Sequence, residues 1–263
     1  MAVFLTPGTS TFVKAQKKAA DQIQAYNSKP KNITVIFADI TNSDTGKAWT
    51  SRPFRDQFDN AVNTCLTSSQ DVMAAYLIHG KTKDEQPFWT NAPLSSIKQL
   101  KRGDSALLIS GGLEKQLCIE AFDSIASRSF LHNGNLLDSM LAEYTDVFGA
   151  FQQAALYFRR YATSSRDTKR IFLLSDTKEN AGFVPGSIKL NNIGSIDTAR
   201  MLAGLALEQI KKTTDIKNEL KDCDVYILST NNRLYYNEER NLRRIFWETL
   251  LINKLHCNKV YFF

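Results

Sequence analysis

Residues 33–43 read ITVIFADITNS, and the fold turns on how that stretch is taken. Ile33 to Ala38 form a short, β-branched, apolar run of the kind buried on both faces in a parallel sheet. The run stops at Asp39, and after Ile40 a polar stretch extends from Thr41 to Gly46. Alternate residues of an extended loop tend to point the same way, so Asp39, Thr41 and Ser43 could bring three oxygen side chains to one point.

Working outward, Phe54, Phe58, Ala61, Val62 and Cys65 share one face of a helix, and Val72 to Ile78 is a second apolar run. A third run spans Ser105 to Ser110, with Leu117 to Phe122 as a possible neighbouring strand. Residues 135–142 and 146–162 read as helices with Thr145 at their junction. A fourth run, Arg170 to Ser175, again stops at a carboxylate, Asp176. Residues 197–212 look helical, Asp224 to Ser229 is a fifth strand, and 238–254 is an amphipathic helix. Lys259 to Phe263 is a last strand. On the other side, Phe12, Ala15, Ala19, Ile23 and Tyr26 recur at helical spacing over 10–28, and Pro30 closes that segment. Strands alternating with helices predict a doubly wound α/β fold, a mostly parallel central sheet with helices on both faces. The expected organisation is an N-terminal helical extension over 1–30 and one α/β domain over 31–263. Residues 80–103, with Pro87 and Pro93, are longer than typical connections and read as an insertion.

Composition sets the class. The chain has 263 residues, 43% hydrophobic and 23% charged, enough for a full core and against global disorder. Its net charge of +6 is spread along the chain without a dense basic block, so charge gives nucleic-acid binding little support. Cys65, Cys118, Cys223 and Cys257 form no CxxC pair and no zinc spacing, so reduced thiols in a cytoplasmic protein are expected. The sequence shows no secretory leader and no window long enough to span a membrane.

In open α/β sheets, ligand sites form beyond the carboxyl ends of strands, near the topological switch point. Asp39 and Asp176 end two of the best strands here, and Thr145, just before a helix, could deliver a further oxygen. These hard, weakly charged ligands suit Mg²⁺ or Mn²⁺ and do not suit zinc. A catalytic proposal also needs a base, and His79, His132 and His256 stand apart from these loops. The bland alternatives are a polar strand-to-helix loop at 39–44 and a Thr145 that only caps a helix. Ser110-Gly111-Gly112 lacks a full phosphate-loop pattern and reads as a tight turn. Phe246 at helical spacing reads as core, while Tyr235 and Tyr236 stay ambiguous between a loop and a stacking surface.

The stretch ITVIFADITNS resembles the first strand and the Asp-x-Ser-x-Ser motif of von Willebrand factor A domains, with Thr41 at the middle position. YTDVFGAFQQAALYF, around Thr145, is similar to that family's loop threonine and the helix after it, and RIFLLSDTKEN resembles its later strand ending in Asp176. The resemblance covers about residues 31 to 263 and implies a metal-ion-dependent adhesion site. In it, Thr41, Ser43 and Thr145 would help hold the ion, and Asp39 and Asp176 would bind it directly or through water. This chain departs from the pattern in three places. Thr177 stands where the family usually has Gly, the 80–103 link is long, and a strand closes the sequence where these domains commonly have a helix. We expect helix 10–28 to take that helix's place.

The resemblance implies a binding module without catalytic residues, in which Mg²⁺ or Mn²⁺ grips an Asp or Glu of a partner protein, as intracellular adaptors in multiprotein assemblies do. Two other functions remain at this stage. One is a metal-dependent phosphohydrolase or nuclease using Asp39 and Asp176, although two-metal chemistry generally wants more carboxylates. The other is a scaffold with a vestigial site that works through other surfaces.

Overall fold

The computed structural model describes residues 30–41, 51–68, 70–79, 81–92, 111–131, 145–177, 190, 193–213, 216–229 and 238–263. The expected helices 10–28 and 135–142, the run Ser105–Ser110, Ser43, Tyr235 and Tyr236 lie outside these residues.

Six strands form one sheet. They are β1 (Asn32–Asp39), β2 (Val72–Ile78), β3 (Trp89–Thr90), β4 (Thr168–Leu174), β5 (Asp224–Leu228) and β6 (Lys259–Phe262), in the order β3-β2-β1-β4-β5-β6. All neighbours run parallel except β3, which pairs antiparallel with β2 through Ala74↔Thr90 and Ala75↔Trp89. The chain moves from β1 to one side and then returns to build β4 on the other. The switch point therefore lies between β1 and β4, where the sequence placed its two carboxylates.

Helices cover both faces, as the alternating pattern requires. They are α1 (Arg52–Cys65), α2 (Gly111–Leu131), α3 (Val147–Tyr161), α4 (Ile196–Thr213), the single turn α5 (Lys217–Leu220) and α6 (Glu238–Glu248), which continues into a π-helical turn over Thr249–Lys254. Ile36, Ala38, Met73, Ala75 and Leu174 pack under Phe54 and Phe58 of α1 and Phe122 of α2. The Phe58 and Phe122 rings stack with centroids 4.2 Å apart. The opposite side chains, Ile33, Val35, Phe37, Ile171 and Val225, meet α3, α4 and α6. There Trp247 is fully buried, 5.5 Å from the Phe151 ring and 5.0 Å from Phe246.

One expectation needs correction. Leu117–Phe122 is no strand; it lies inside α2. Cys118, Phe122 and Ala126 are buried at i, i+4 and i+8, a helical stripe that a six-residue window cannot reveal. The insertion also holds structure of its own: a 3₁₀ turn at Thr82–Asp84 and the edge strand β3. Gly111 and Gly112 open α2. The four cysteines are buried free thiols. No described helix is long and apolar enough to cross a membrane.

Candidate functional site

Asp39 is the last residue of β1, and Asp176 follows β4 by two residues, so both stand at the carboxyl edge across the switch point. Thr145 arrives there from the far side of the chain, immediately before α3. Its neighbour Asp146 caps that helix by accepting the Gly149 N–H at Oδ1, at 2.8 Å. The helix cap is therefore Asp146, which leaves the Thr145 hydroxyl to other partners.

That hydroxyl turns to the β1 loop. Thr41 Oγ1 and Thr145 Oγ1 are 2.8 Å apart although the residues are 104 positions apart in sequence. Thr41 Oγ1 gives its proton to Asp39 Oδ1 at 2.6 Å, so it is Thr145 that donates to Thr41. Asp39 Oδ1 also accepts the Thr41 N–H at 3.0 Å. Its other oxygen, Oδ2, accepts from Ser175 Oγ at 2.6 Å. Asp39, Thr41, Thr145 and Ser175 are all buried, while Asp176 is half-buried.

Burial and the neighbouring Asp176 charge push the Asp39 carboxyl up to about 7, against the hydrogen bonds from Ser175 and Thr41. Among the described residues, the desolvated Asp39 carboxyl is supported by two hydroxyls and one N–H and faces the charge of a second carboxylate, so its ionised form is disfavoured. The donor set fits a hard divalent cation: carboxylate and hydroxyl oxygens, with no sulfur and no imidazole. Among the described residues no group of three or more His, Cys, Asp or Glu side chains gathers to hold a metal, at this edge or at any other place. Of the five residues expected as ligands, hydrogen bonds join Asp39, Thr41 and Thr145, and the Asp176 charge acts on Asp39 by repulsion. Ser43 lies outside the described residues.

Sequence reading missed two participants. Ser175, fully buried, donates to Asp39 and accepts the Thr177 N–H at 2.9 Å. Its signal was present, since it sits one residue before the strand-ending Asp176. His79, expected to stand apart, is buried at the end of β2, and its carbonyl accepts the Asp146 N–H at 3.2 Å. Thr177, at the position of the family's usual Gly, adopts a left-handed backbone with φ 59°. Its own Oγ1 donates to the Asp176 carbonyl at 2.7 Å, and its carbonyl accepts from Trp247 Nε1 at 3.4 Å.

No protein-family model matches the chain, and no curated protein sequence does. Solved structures similar to it include a human COPII-coat protein, 11% identical with a TM-score of 0.44, over 89% of this chain and 29% of that one. An aerotolerance-related membrane protein from Bacteroides fragilis is 13% identical with a TM-score of 0.36, over 89% of this chain and 90% of that one. The manganese-loaded TRAP protein of Plasmodium vivax is 10% identical with a TM-score of 0.38, over 86% and 74%. The chain thus spans less than a third of the COPII-coat protein. Likenesses of this size carry no functional argument, and the function has to be argued from the site.

Proposed function

We propose that this chain is a protein-binding module of the von Willebrand factor A type, gripping an acidic side chain of a partner through a divalent cation. The observation that carries the reading is the meeting of the Thr41 and Thr145 hydroxyls, 2.8 Å apart, over the raised carboxyl of Asp39. Mg²⁺ or Mn²⁺ bound there would supply a Lewis-acidic point with a coordination position for a partner's Asp or Glu.

This chain's own residues set the character of that grip. Thr41 and Thr145 offer neutral oxygens, so two carboxylates alone balance the ion and leave it able to attract a third. Ser175 fixes the Asp39 carboxylate by holding Oδ2. Ser43 is the fifth ligand in this reading. Two carboxylates with no neighbouring base among the described residues are a poor set for hydrolysis, which favours binding without turnover. Action inside the cell, within a larger assembly, is part of the same proposal.

The test is thermal unfolding in EDTA against millimolar Mg²⁺ or Mn²⁺, for wild type and Asp39→Ala. A ligand held only by the native state raises its stability; at ten times its Kd the gain is about 1.4 kcal/mol, or roughly 3 °C in a chain of this size. We expect that rise in wild type and none in Asp39→Ala. A wild type indifferent to both cations would move the function to other surfaces, the scaffold reading. Acidic peptides retained with cation and released by EDTA would identify the partner chemistry.

A further inference from the structure

The turn that follows β2 is built around one side-chain pair, a buried histidine and a half-buried glutamate. His79 Nε2 lies 2.7 Å from Glu85 Oε2, and the Lys81 N–H points at Nδ1 from 3.2 Å. Because Nδ1 accepts that N–H, the ring proton sits on Nε2 and is donated to Glu85. Thr82, fully buried, closes the turn from inside: its Oγ1 accepts the His79 N–H at 3.0 Å and donates to the His79 carbonyl at 2.8 Å. The second bond to that carbonyl comes from the Asp146 N–H, at 3.2 Å. His79 is thus held at its ring, its N–H and its carbonyl, and the carbonyl holds the residue next to Thr145.

We infer that the His79–Glu85 pair is a positioning clamp for the cation site, setting the Thr145 hydroxyl against Thr41 by fixing the carbonyl that anchors Asp146. The inference rests on the metal-binding reading and deepens it, because it names residues that touch no ligand atom and still govern affinity. Thr145 needs such an anchor. It belongs to a connection between elements, and a hydroxyl ligand displaced by a fraction of an ångström loses its share of the ion. Groups that orient a ligand in this way typically change metal affinity about 10–100-fold when removed.

Glu85 is the residue to change, because its side chain is 37% exposed while the His79 side chain is 4% exposed and its removal could simply weaken the fold. The full chain, as wild type, Glu85→Ala, Glu85→Gln and Thr145→Ala, is titrated with Mn²⁺ alone and followed by thermal unfolding. Exchange of the Asp146 amide is followed in parallel in EDTA. In Glu85→Ala we expect the half-effective Mn²⁺ concentration to rise about tenfold, with little change in the EDTA melting temperature. Glu85→Gln keeps an oxygen that accepts from Nε2–H and should return the titration to within about twofold of wild type. The Asp146 amide should exchange faster in Glu85→Ala than in Glu85→Gln.

A Glu85→Ala protein that binds Mn²⁺ like wild type, while Thr145→Ala does not, overturns the clamp and leaves the metal site standing. Equal losses in the Ala and Gln variants also overturn it, because charge would then be the cause and position would not. A wild type without any Mn²⁺ response overturns the metal reading and this inference together. Amide exchange then shows whether the turn still anchors Asp146.

Discussion

Asp71 precedes β2 at the amino end of the sheet, and Asp39 closes β1 at the carboxyl end. With 3% and 8% of their surface exposed, both are buried aspartates on neighbouring strands. Asp71 is saturated with donors. Its Oδ1 accepts the Asn32 N–H at 2.8 Å and Asn32 Nδ2 at 3.1 Å, and its Oδ2 accepts the N–H groups of Thr67 and Ser68, each at 2.8 Å, and Thr67 Oγ1 at 2.9 Å. Burial pushes its carboxyl up, but the Asn32 and Thr67 hydrogen bonds outweigh burial and hold it below the ordinary value. Asp39 has one backbone N–H, two hydroxyls and a second carboxylate nearby, and it is raised. The same residue type is a structural knot at one edge of the sheet and, at the other, a carboxyl whose ionisation is opposed by burial and a second carboxylate. Small surface exposure is common to both; what separates them is the heavier desolvation and the second carboxylate at Asp39 against the larger set of donors at Asp71.

The sharpest way to break this contrast is to remove the knot. Asp71→Ala leaves the N–H groups of Asn32, Thr67 and Ser68 without their acceptor, and hydrogen bonds to a charged group contribute about 1.5–3 kcal/mol each at best, with overlap among them. We expect a loss of about 3 kcal/mol in urea unfolding, the same in EDTA and in Mn²⁺. A loss below about 1 kcal/mol would mean that water replaces the carboxylate at no great cost, and that Asp71 is no knot.

The other edge should move the opposite way. With its folded carboxyl near 7 and an ordinary value of 3.8, Asp39 binds a proton more tightly in the native state than in the unfolded chain. Metal-free wild type should therefore lose stability from this group as pH rises from about 4 to about 7, and stay low above. Asp71, held below its ordinary value, contributes stability that is present above about 4 and lost in acid. Asp39→Asn removes the charge and keeps an oxygen for Thr41. In EDTA at pH 8 it should be more stable than wild type by about 1–3 kcal/mol, with the gap closing below pH 4 and no response to Mn²⁺. A destabilised Asp39→Asn at pH 8 would show that the ionised carboxylate already has a sufficient partner without metal.

The legible and illegible parts of the molecule divide along similar lines. Strands β1, β2, β4 and β5 could be read because each is a mostly apolar run closed by a polar residue, β6 from the apolar run Val260 to Phe263, and α1, α3 and α4 because burial repeats every three to four residues. Strand β3 could not, since Trp89–Thr90 is two residues long and owes its existence to pairing with Ala74 and Ala75. At the site, Asp39, Thr41 and Asp176 follow from strand ends and alternation. Thr145 was offered by its place just before a helix, but nothing local announces its contact with Thr41 across 104 positions. The His79–Glu85 pair was invisible for a related reason. The partners are six positions apart, and only the three-dimensional path of that turn brings imidazole and carboxylate to 2.7 Å.

The smallest predicted effect concerns the residue that departs from the family pattern inside the site. A left-handed backbone costs an L-residue about 1–2 kcal/mol, and a β-branched Thr177 at φ 59° bears that cost next to Asp176. Two of the bonds that hold it there, from its N–H to Ser175 and from Trp247 to its carbonyl, use backbone atoms and would survive any side chain. Only the Oγ1 bond to the Asp176 carbonyl belongs to threonine. Thr177→Ala loses that bond and keeps the strain, so it should be less stable by about 1 kcal/mol. Thr177→Gly loses the same bond but relieves the strain, against a glycine entropy cost of about 0.5–1 kcal/mol, and should fall within about 0.5 kcal/mol of wild type. The Gly-minus-Ala difference thus isolates the backbone term. If both variants fall equally, the left-handed turn carries no strain, and threonine at 177 is there for its hydroxyl. If Gly matches wild type in stability and in its Mn²⁺ response, the departure from the family pattern is neutral to the site, because backbone donors and acceptors hold the turn whichever side chain occupies it.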